Sequence, residues 1–440
     1  MPQTSPAAVG RLRENSSVVS ADVASVLLLL GFLFVLLHPS ILNPFELEPH
    51  TAWTIHCYTF GVPILVINAV VRRRLWKLTP FDYLLIAYFA CVLATWPTSF
   101  NRHTTAMAIV GLVGQLVVYA AVRQLAEVRP SLAPVVIAAL LVGIAMLEWT
   151  AAGVHMRVGL SARLVDYPPL DWNGREGLGL AAAIQFAFLV GIGQRARSSS
   201  VQLASIVLIL GVVVELLFLY SRLAWAAAAG VMAAAFVTSL RLGGLRRYAV
   251  AMIVIGTLVG IVGTPYMVHL AKMATGLEHR GGESALSFRV AAWLDMPRAI
   301  RGRILAGTGL GNYMAYRPTV DMPRSRYLPP GFPEPLHPHN AYLQQTAETG
   351  ILGGLSYLAM WMAAIWAGWR ISTRPGADLP IHSGLFLAVV AIAVSNLGEN
   401  MFEGTERLRL YSIAWMVTAF VIAAWNAEPA RRAAPVEDVV

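Results

Sequence analysis

His337, Pro338, His339 and Asn340 stand where a long proline-rich segment gives way to an apolar stretch. Pro338 suits the first turn of a helix, which would put His339 at or near that helix's N-terminus. The positive end of the helix dipole disfavours an imidazolium there, so a histidine at this point is suited to accept a proton. A positioned general base of this kind contributes about 10²–10⁴-fold in rate. The plainer alternative is that both imidazoles only cap the helix or rest at an interface.

Arginines supply the second candidate chemistry. Arg222 follows Ser221 in a very short turn between two apolar stretches. A guanidinium there makes paired hydrogen bonds to phosphate oxygens that a lysine cannot reproduce. The competing reading is a side chain that snorkels to the membrane surface. Arg289 has the same two readings. It belongs to a helix expected over Ser284 to Ile304, with apolar Leu286, Val290, Trp293 and Leu294, kinked near Pro297. Such a helix is expected to lie on the membrane. Arg175 and Glu176, at the start of another apolar stretch, either bind substrate or pair with each other. Arg298, Arg301, Arg303, Arg317, Arg324 and Arg326 form a looser basic group, better explained by anionic lipid headgroups than by a substrate. Glu215, two helical turns before Arg222, is expected to pair with an inward-facing arginine.

Other residues point to structure. The Gly307, Gly309 and Gly311 run lacks a surrounding strand–helix–strand unit, so it reads as a tight turn and not a dinucleotide site. Gly350, Gly353 and Gly354 suggest close helix packing. His337 and His339 are too few ligands for a catalytic zinc, and no Asp-rich motif accompanies them, so neither metal nor cofactor is expected. Cys57 and Cys91 lie in apolar stretches and read as small buried hydrophobes.

The elements that must position these residues are membrane helices. The chain of 440 residues is 57% hydrophobic and 13% charged, with a mean hydropathy of +0.61. Soluble domains carry about 25% charged residues. A span needs about 20 apolar residues, and twelve stretches qualify: 20–38, 51–71, 80–98, 104–122, 131–152, 174–193, 201–220, 223–240, 248–268, 341–369, 383–400 and 409–426. The expected fold is therefore an all-α polytopic membrane protein in one membrane domain. Helices 1–9 fall in 20–268, a large external loop in 269–340, and helices 10–12 in 341–426.

The net charge of +9 does not signal nucleic acid, because the basic residues sit in short gaps between spans. With both termini in the cytoplasm, the short inner segments hold Arg11, Arg13, Arg72, Arg73, Arg74, Lys77, Arg123, Arg129, Arg195, Arg197, Arg241, Arg246, Arg247, Arg370, Arg374, Arg431 and Arg432. Ser40 to His50, outside, has neither Lys nor Arg, as the positive-inside rule requires. The arginines of the long loop are exempt from that rule and call for another explanation.

His339-Asn340, followed nine residues later by Gly350-Ile351-Leu352-Gly353, resembles the signature of the O-antigen ligase and polymerase superfamily. Asn173, Ser221-Arg222, Arg289 with Trp293, and Gly307 to Asn312 fall in the family's order, so that the resemblance covers roughly residues 170 to 405. It implies a GT-C-like glycosyltransferase of the bacterial inner membrane with a periplasmic active site. His339 would be catalytic, and Arg222, Arg289, Arg175 and His337 would bind substrate. The implied partners are an undecaprenyl-pyrophosphate-linked O-antigen donor, a lipid A–core acceptor and membrane lipids. The implied reaction is metal-independent, inverting O-antigen ligation. The sibling activities, O-antigen polymerase and protein O-oligosaccharyltransferase, remain open, as does a lipid-linked oligosaccharide transporter of a different class.

Overall fold

The computed structural model describes residues 6–37, 49–72, 78–158, 174–219, 221–242, 285–321, 337–374, 379–398 and 408–427. Among these, all regular structure is helical. The helices are α1 (Pro6–Leu37), α2 (Pro49–Arg72), α3 (Pro80–Thr95), α4 (Arg102–Val128), α5 (Ala133–Val158), α6 (Gly174–Arg195), α7 (Ser199–Phe218), α8 (Arg222–Leu242), α9 (Ala285–Ala299), α10 (Ala341–Ser372), α11 (Leu379–Gly398) and α12 (Leu408–Asn426). Eight of the described helices are long and apolar enough to cross a membrane, and three shorter apolar segments accompany them. Large apolar side chains such as Val70, Leu203, Leu352 and Met362 point outward from these helices, as lipid-facing residues do. The chain is an all-α polytopic membrane protein. The stretch 248–268 lies outside the described residues.

α6 and α11 form the centre. α6 is almost wholly enclosed, and it crosses α11 where Gly191 meets the Gly384 backbone with no room for a side chain between them. Small residues at such a crossing let two helix backbones touch, which is how membrane helices gain packing energy without a hydrophobic drive. α8 packs on the same pair, with Gly230 against Val394 of α11.

Two arginines counted above in the cytoplasmic charge pattern also make ion pairs within the protein. Arg123 is fully buried and pairs with Asp82 and, at 2.9 Å, with Glu127. Tyr119 and Asn426 complete that network, the tyrosine donating to Asp82 and the amide to Glu127. Arg129 pairs with Asp22 at 2.6 Å. Asp82 also closes a capping box with Thr79 at the start of α3.

α10 is not one continuous helix. Tyr342 and Tyr357 would stand about 22 Å apart along a straight helix, yet their rings are 5.6 Å apart. A Cβ on Gly354 would come within 2.8 Å of the Thr346 Cα, eight residues away. The helix doubles back at Gly350, whose φ of 75° and ψ of 173° break the helical path. This corrects the expectation of a continuous helix over 341–369, and it gives the glycines distinct tasks. Gly350 supplies a left-handed elbow, where only glycine escapes the steric penalty. Gly354 lets the two arms close on each other.

The break frees backbone groups, and the glycine-rich segment takes them up. Ala347 and Glu348 carbonyls accept from the Thr308 and Gly309 amides at 2.9 Å each, and the Ile351 amide donates to Ile304 at 2.9 Å. The buried Glu348 carboxylate accepts from the Gly311 amide at 2.9 Å and from Gln344 Nε2 at 3.0 Å. Gly307 to Asn312 is thus a turn, as expected, but one wrapped on the elbow of α10. Asn312, buried beneath it, donates to Thr105 Oγ1 at 2.6 Å and so ties the turn to α4.

Candidate active site

The first arm of α10 begins with an asparagine cap. Asn340 Oδ1 accepts from the Leu343 amide at 3.0 Å, the hydrogen bond that makes asparagine a preferred N-cap. Its Nδ2 donates to the Leu397 carbonyl at 3.1 Å, at the end of α11. Because Asn340 takes the cap, Pro338 lies before the helix and not in its first turn, and His339 sits immediately outside it. His339 has a φ of 46°, a region that a non-glycine residue seldom enters. Its amide donates to His337 Nδ1 at 2.7 Å, and the two rings lie 4.2 Å apart.

α9 holds the other side of this turn. Trp293 Nε1 donates to the Pro338 carbonyl at 2.6 Å. Arg289 is one helical turn earlier on the same face of α9. Its Nη1 lies 3.5 Å from where a Cβ on Gly398 would be, and Leu223 Cδ1 lies 2.7 Å from the same point. Leu397 and Gly398, adjacent in the chain, therefore touch the His339 turn and Arg289 respectively. Leu223 follows Arg222, the first residue of α8.

α9 does not simply lie on a bilayer. Met296, Ala299 and Ile300 form a buried cluster with Ala347 of α10 and Tyr313, so the helix is seated on the first arm of α10. Pro297 falls near its end, inside the helix.

The turn before α8 is fixed from both sides. Ser221 Oγ accepts from the Ala224 amide at 3.3 Å, and Trp225 Nε1 donates to the Leu216 carbonyl of α7 at 2.6 Å. A Cβ on Gly179, one turn into α6, would come within 2.9 Å of the Ala224 Cβ and 3.1 Å of the Ser221 Cβ. The start of α6, where Arg175 is the second residue, thus stands beside the start of α8. Three helices, α6, α8 and α10, begin at this end of the bundle. A helix start carries amides with no partner inside the helix and the positive end of a dipole, an arrangement that attracts anions.

The structure brings His337, His339, Arg289 and the backbone of Arg222 together, with the backbone of Arg175 nearby. Asn173 lies outside the described residues. The looser basic group does not form one surface. Arg303 Nη1 donates to the Thr98 carbonyl at 2.7 Å and stacks over Tyr316, Arg298 lies 3.7 Å from Asp295, and Arg317 is buried. Arg324 and Arg326 lie outside the described residues. The Arg222 side chain, the nearest candidate partner of Glu215, lies outside the described residues, and among the described residues no three His, Cys, Asp or Glu side chains lie together as metal ligands would. Sequence reasoning named Asn340 but missed its capping role, and it missed Glu348 altogether. An asparagine just before a helix and an acid amid polar residues in a supposed span were the available signals.

Residues 204–358 match the family model described as O-antigen ligase. This segment belongs to the O-antigen ligase/polymerase superfamily. The O-antigen ligase match runs from α7 through α8 and α9 to the α10 hairpin, so it contains Arg222, Arg289 and His339. It carries a function of the ligase/polymerase type, on a multi-pass membrane protein of glycosyltransferase-like chemistry. No curated protein matches the chain.

Proposed function

We propose that this protein is an O-antigen ligase of the bacterial inner membrane, with its site on the periplasmic face and both termini in the cytoplasm. It transfers a glycan from undecaprenyl pyrophosphate to lipid A–core. The observation that supports this most is the meeting of Arg289 with the His339 turn at the end of α11, beside the start of α8.

In this reading His339 removes the proton from a sugar hydroxyl of the acceptor. The freed oxygen pair forms a bond to the anomeric carbon on the face opposite the pyrophosphate. The bond from that carbon to the phosphate oxygen breaks, its electrons leave with undecaprenyl pyrophosphate, and the anomeric configuration inverts. Arg222 and Arg289 hold the diphosphate and stabilise the charge that grows on it. Arg175 and the starts of α6, α8 and α10 add positive potential. Fixed donors aimed at developing charge contribute about 10²–10³-fold each.

Purified protein given lipid-linked donor and lipid A–core tests this. The expected product is a single glycan block on the core, lost in His339→Ala and reduced at least tenfold in Arg289→Ala and Arg222→Ala. A ladder growing on the carrier would make it a polymerase, and glycan on a protein acceptor an O-oligosaccharyltransferase. Full ligation by His339→Ala would remove the base from the mechanism. Movement of donor across the bilayer with no covalent product would favour a transporter.

A further inference from the structure

From the geometry of the turn before α10, we infer that His337 is a positioning residue for His339 and does not contact substrate. The inference rests on the ligase-type reading for the role of His339, but its geometry is independent of it.

His339 occupies a left-handed backbone conformation, which is sterically disfavoured for a residue with a Cβ. Glycine or asparagine would adopt it more easily, and a tight turn with proline at its second position usually places one of them next. The chain has histidine there instead, so the conformation must be imposed by its surroundings. Four hydrogen bonds impose it. The His339 amide is held by His337 Nδ1 at 2.7 Å, the Pro338 carbonyl by Trp293 at 2.6 Å, and Asn340 is fixed at both ends, to Leu343 and Leu397.

Within this set, His337 does what an asparagine side chain does in an Asx turn, accepting a hydrogen bond from the amide two residues on. An imidazole nitrogen that accepts carries no proton, so the bond also fixes the tautomer: a neutral His337 has its proton on Nε2. His337 precedes a proline, which confines it to extended backbone and aims the ring forward over the turn. The His339 ring then rests against it at 4.2 Å. The direction in which His339 faces is thereby set by its neighbour two residues back.

Replacement of His337 separates positioning from substrate contact. His337→Ala should lower kcat for glycan transfer by roughly tenfold to a hundredfold, the scale for a misplaced catalytic group, with donor and acceptor KM within threefold of wild type. His337→Asn restores an acceptor for the same amide and should recover most of the lost kcat. If asparagine does no better than alanine, or if KM rises while kcat holds, the ring itself serves substrate and the inference is wrong. It is equally wrong if alanine leaves kcat at the wild-type level. Nitrogen NMR of full-length protein labelled at histidine gives a readout that needs no turnover and no destabilising variant. One histidine, identified by its loss in His337→Asn, should show an unprotonated, hydrogen-bonded Nδ1. A protonated Nδ1 at His337 would overturn the inference whether or not the protein proves to be a ligase.

Discussion

Trp293 donates its indole N–H to the carbonyl of Pro338 at 2.6 Å across 45 residues of chain, which makes the helix bearing Arg289 and the turn bearing His339 one mechanical unit. A guanidinium and an imidazole far apart in sequence can thus hold a fixed relation.

Trp293→Phe keeps most of the ring volume and removes only that donor, leaving the Pro338 carbonyl to find another partner. We expect glycan transfer to fall about tenfold, as for other displaced catalytic groups, with a small change in thermal unfolding temperature. Transfer at the wild-type rate would show that α9 is positioned by its packing on α10 alone.

Glu348→Ala withdraws the acceptor from the Gly311 amide and Gln344 in a buried place. Each donor left unsatisfied costs about 1–3 kcal/mol, so the variant should unfold at lower temperature or denaturant than wild type. Glu348→Gln, which retains one oxygen, should lie between them. Equal stability of alanine and wild type would mean that the elbow does not depend on the carboxylate.

Gly350→Ala forces a Cβ into the Leu305 carbonyl at a left-handed φ. It should prevent accumulation of folded protein, read by fluorescence-detected size exclusion. Gly153→Ala in α5, where nothing lies within 4 Å of the added carbon, serves as the control and should leave yield unchanged.

Removing the guanidinium in Arg123→Met strands Asp82 and Glu127 at the opposite end of α4. Breaking a buried pair from one side costs about 3–5 kcal/mol. Adding Asp82→Asn to that variant should restore part of the lost stability, measured by thermal unfolding. If the double substitution is as unstable as the single one, the pairing is not what holds α3 to α4.

Much of the bundle was legible because long apolar runs announce membrane helices whatever their neighbours. The histidine turn and Arg289 were legible too, since their residue types carry chemistry that a span does not need. The elbow at Gly350 was not. Hydropathy averages over a window, and the strongly apolar 351–372 masked the polar Gln344, Gln345 and Glu348 just before it. Those three residues were the clue, for a helix facing acyl chains has no use for them. Charge counting likewise treats every arginine near a helix end as a topological marker, and cannot tell that Arg123 points inward to Asp82. The Asn340 cap was missed because Pro338 is an equally good helix starter by type. The competition was decided by the hydrogen bond to Leu397, which sequence does not reveal.

Because α10 reverses, its 32 residues traverse the bilayer once and not more deeply than a helix two-thirds as long. Residues 351–372 alone rise about 33 Å, enough for the crossing. Reporter tags inserted beside His337 and at Thr346 would therefore share a compartment, and the intervening arm acts as a polar strut that never needs to meet hydrocarbon. A topology map drawn from hydropathy would misjudge where this segment enters the membrane.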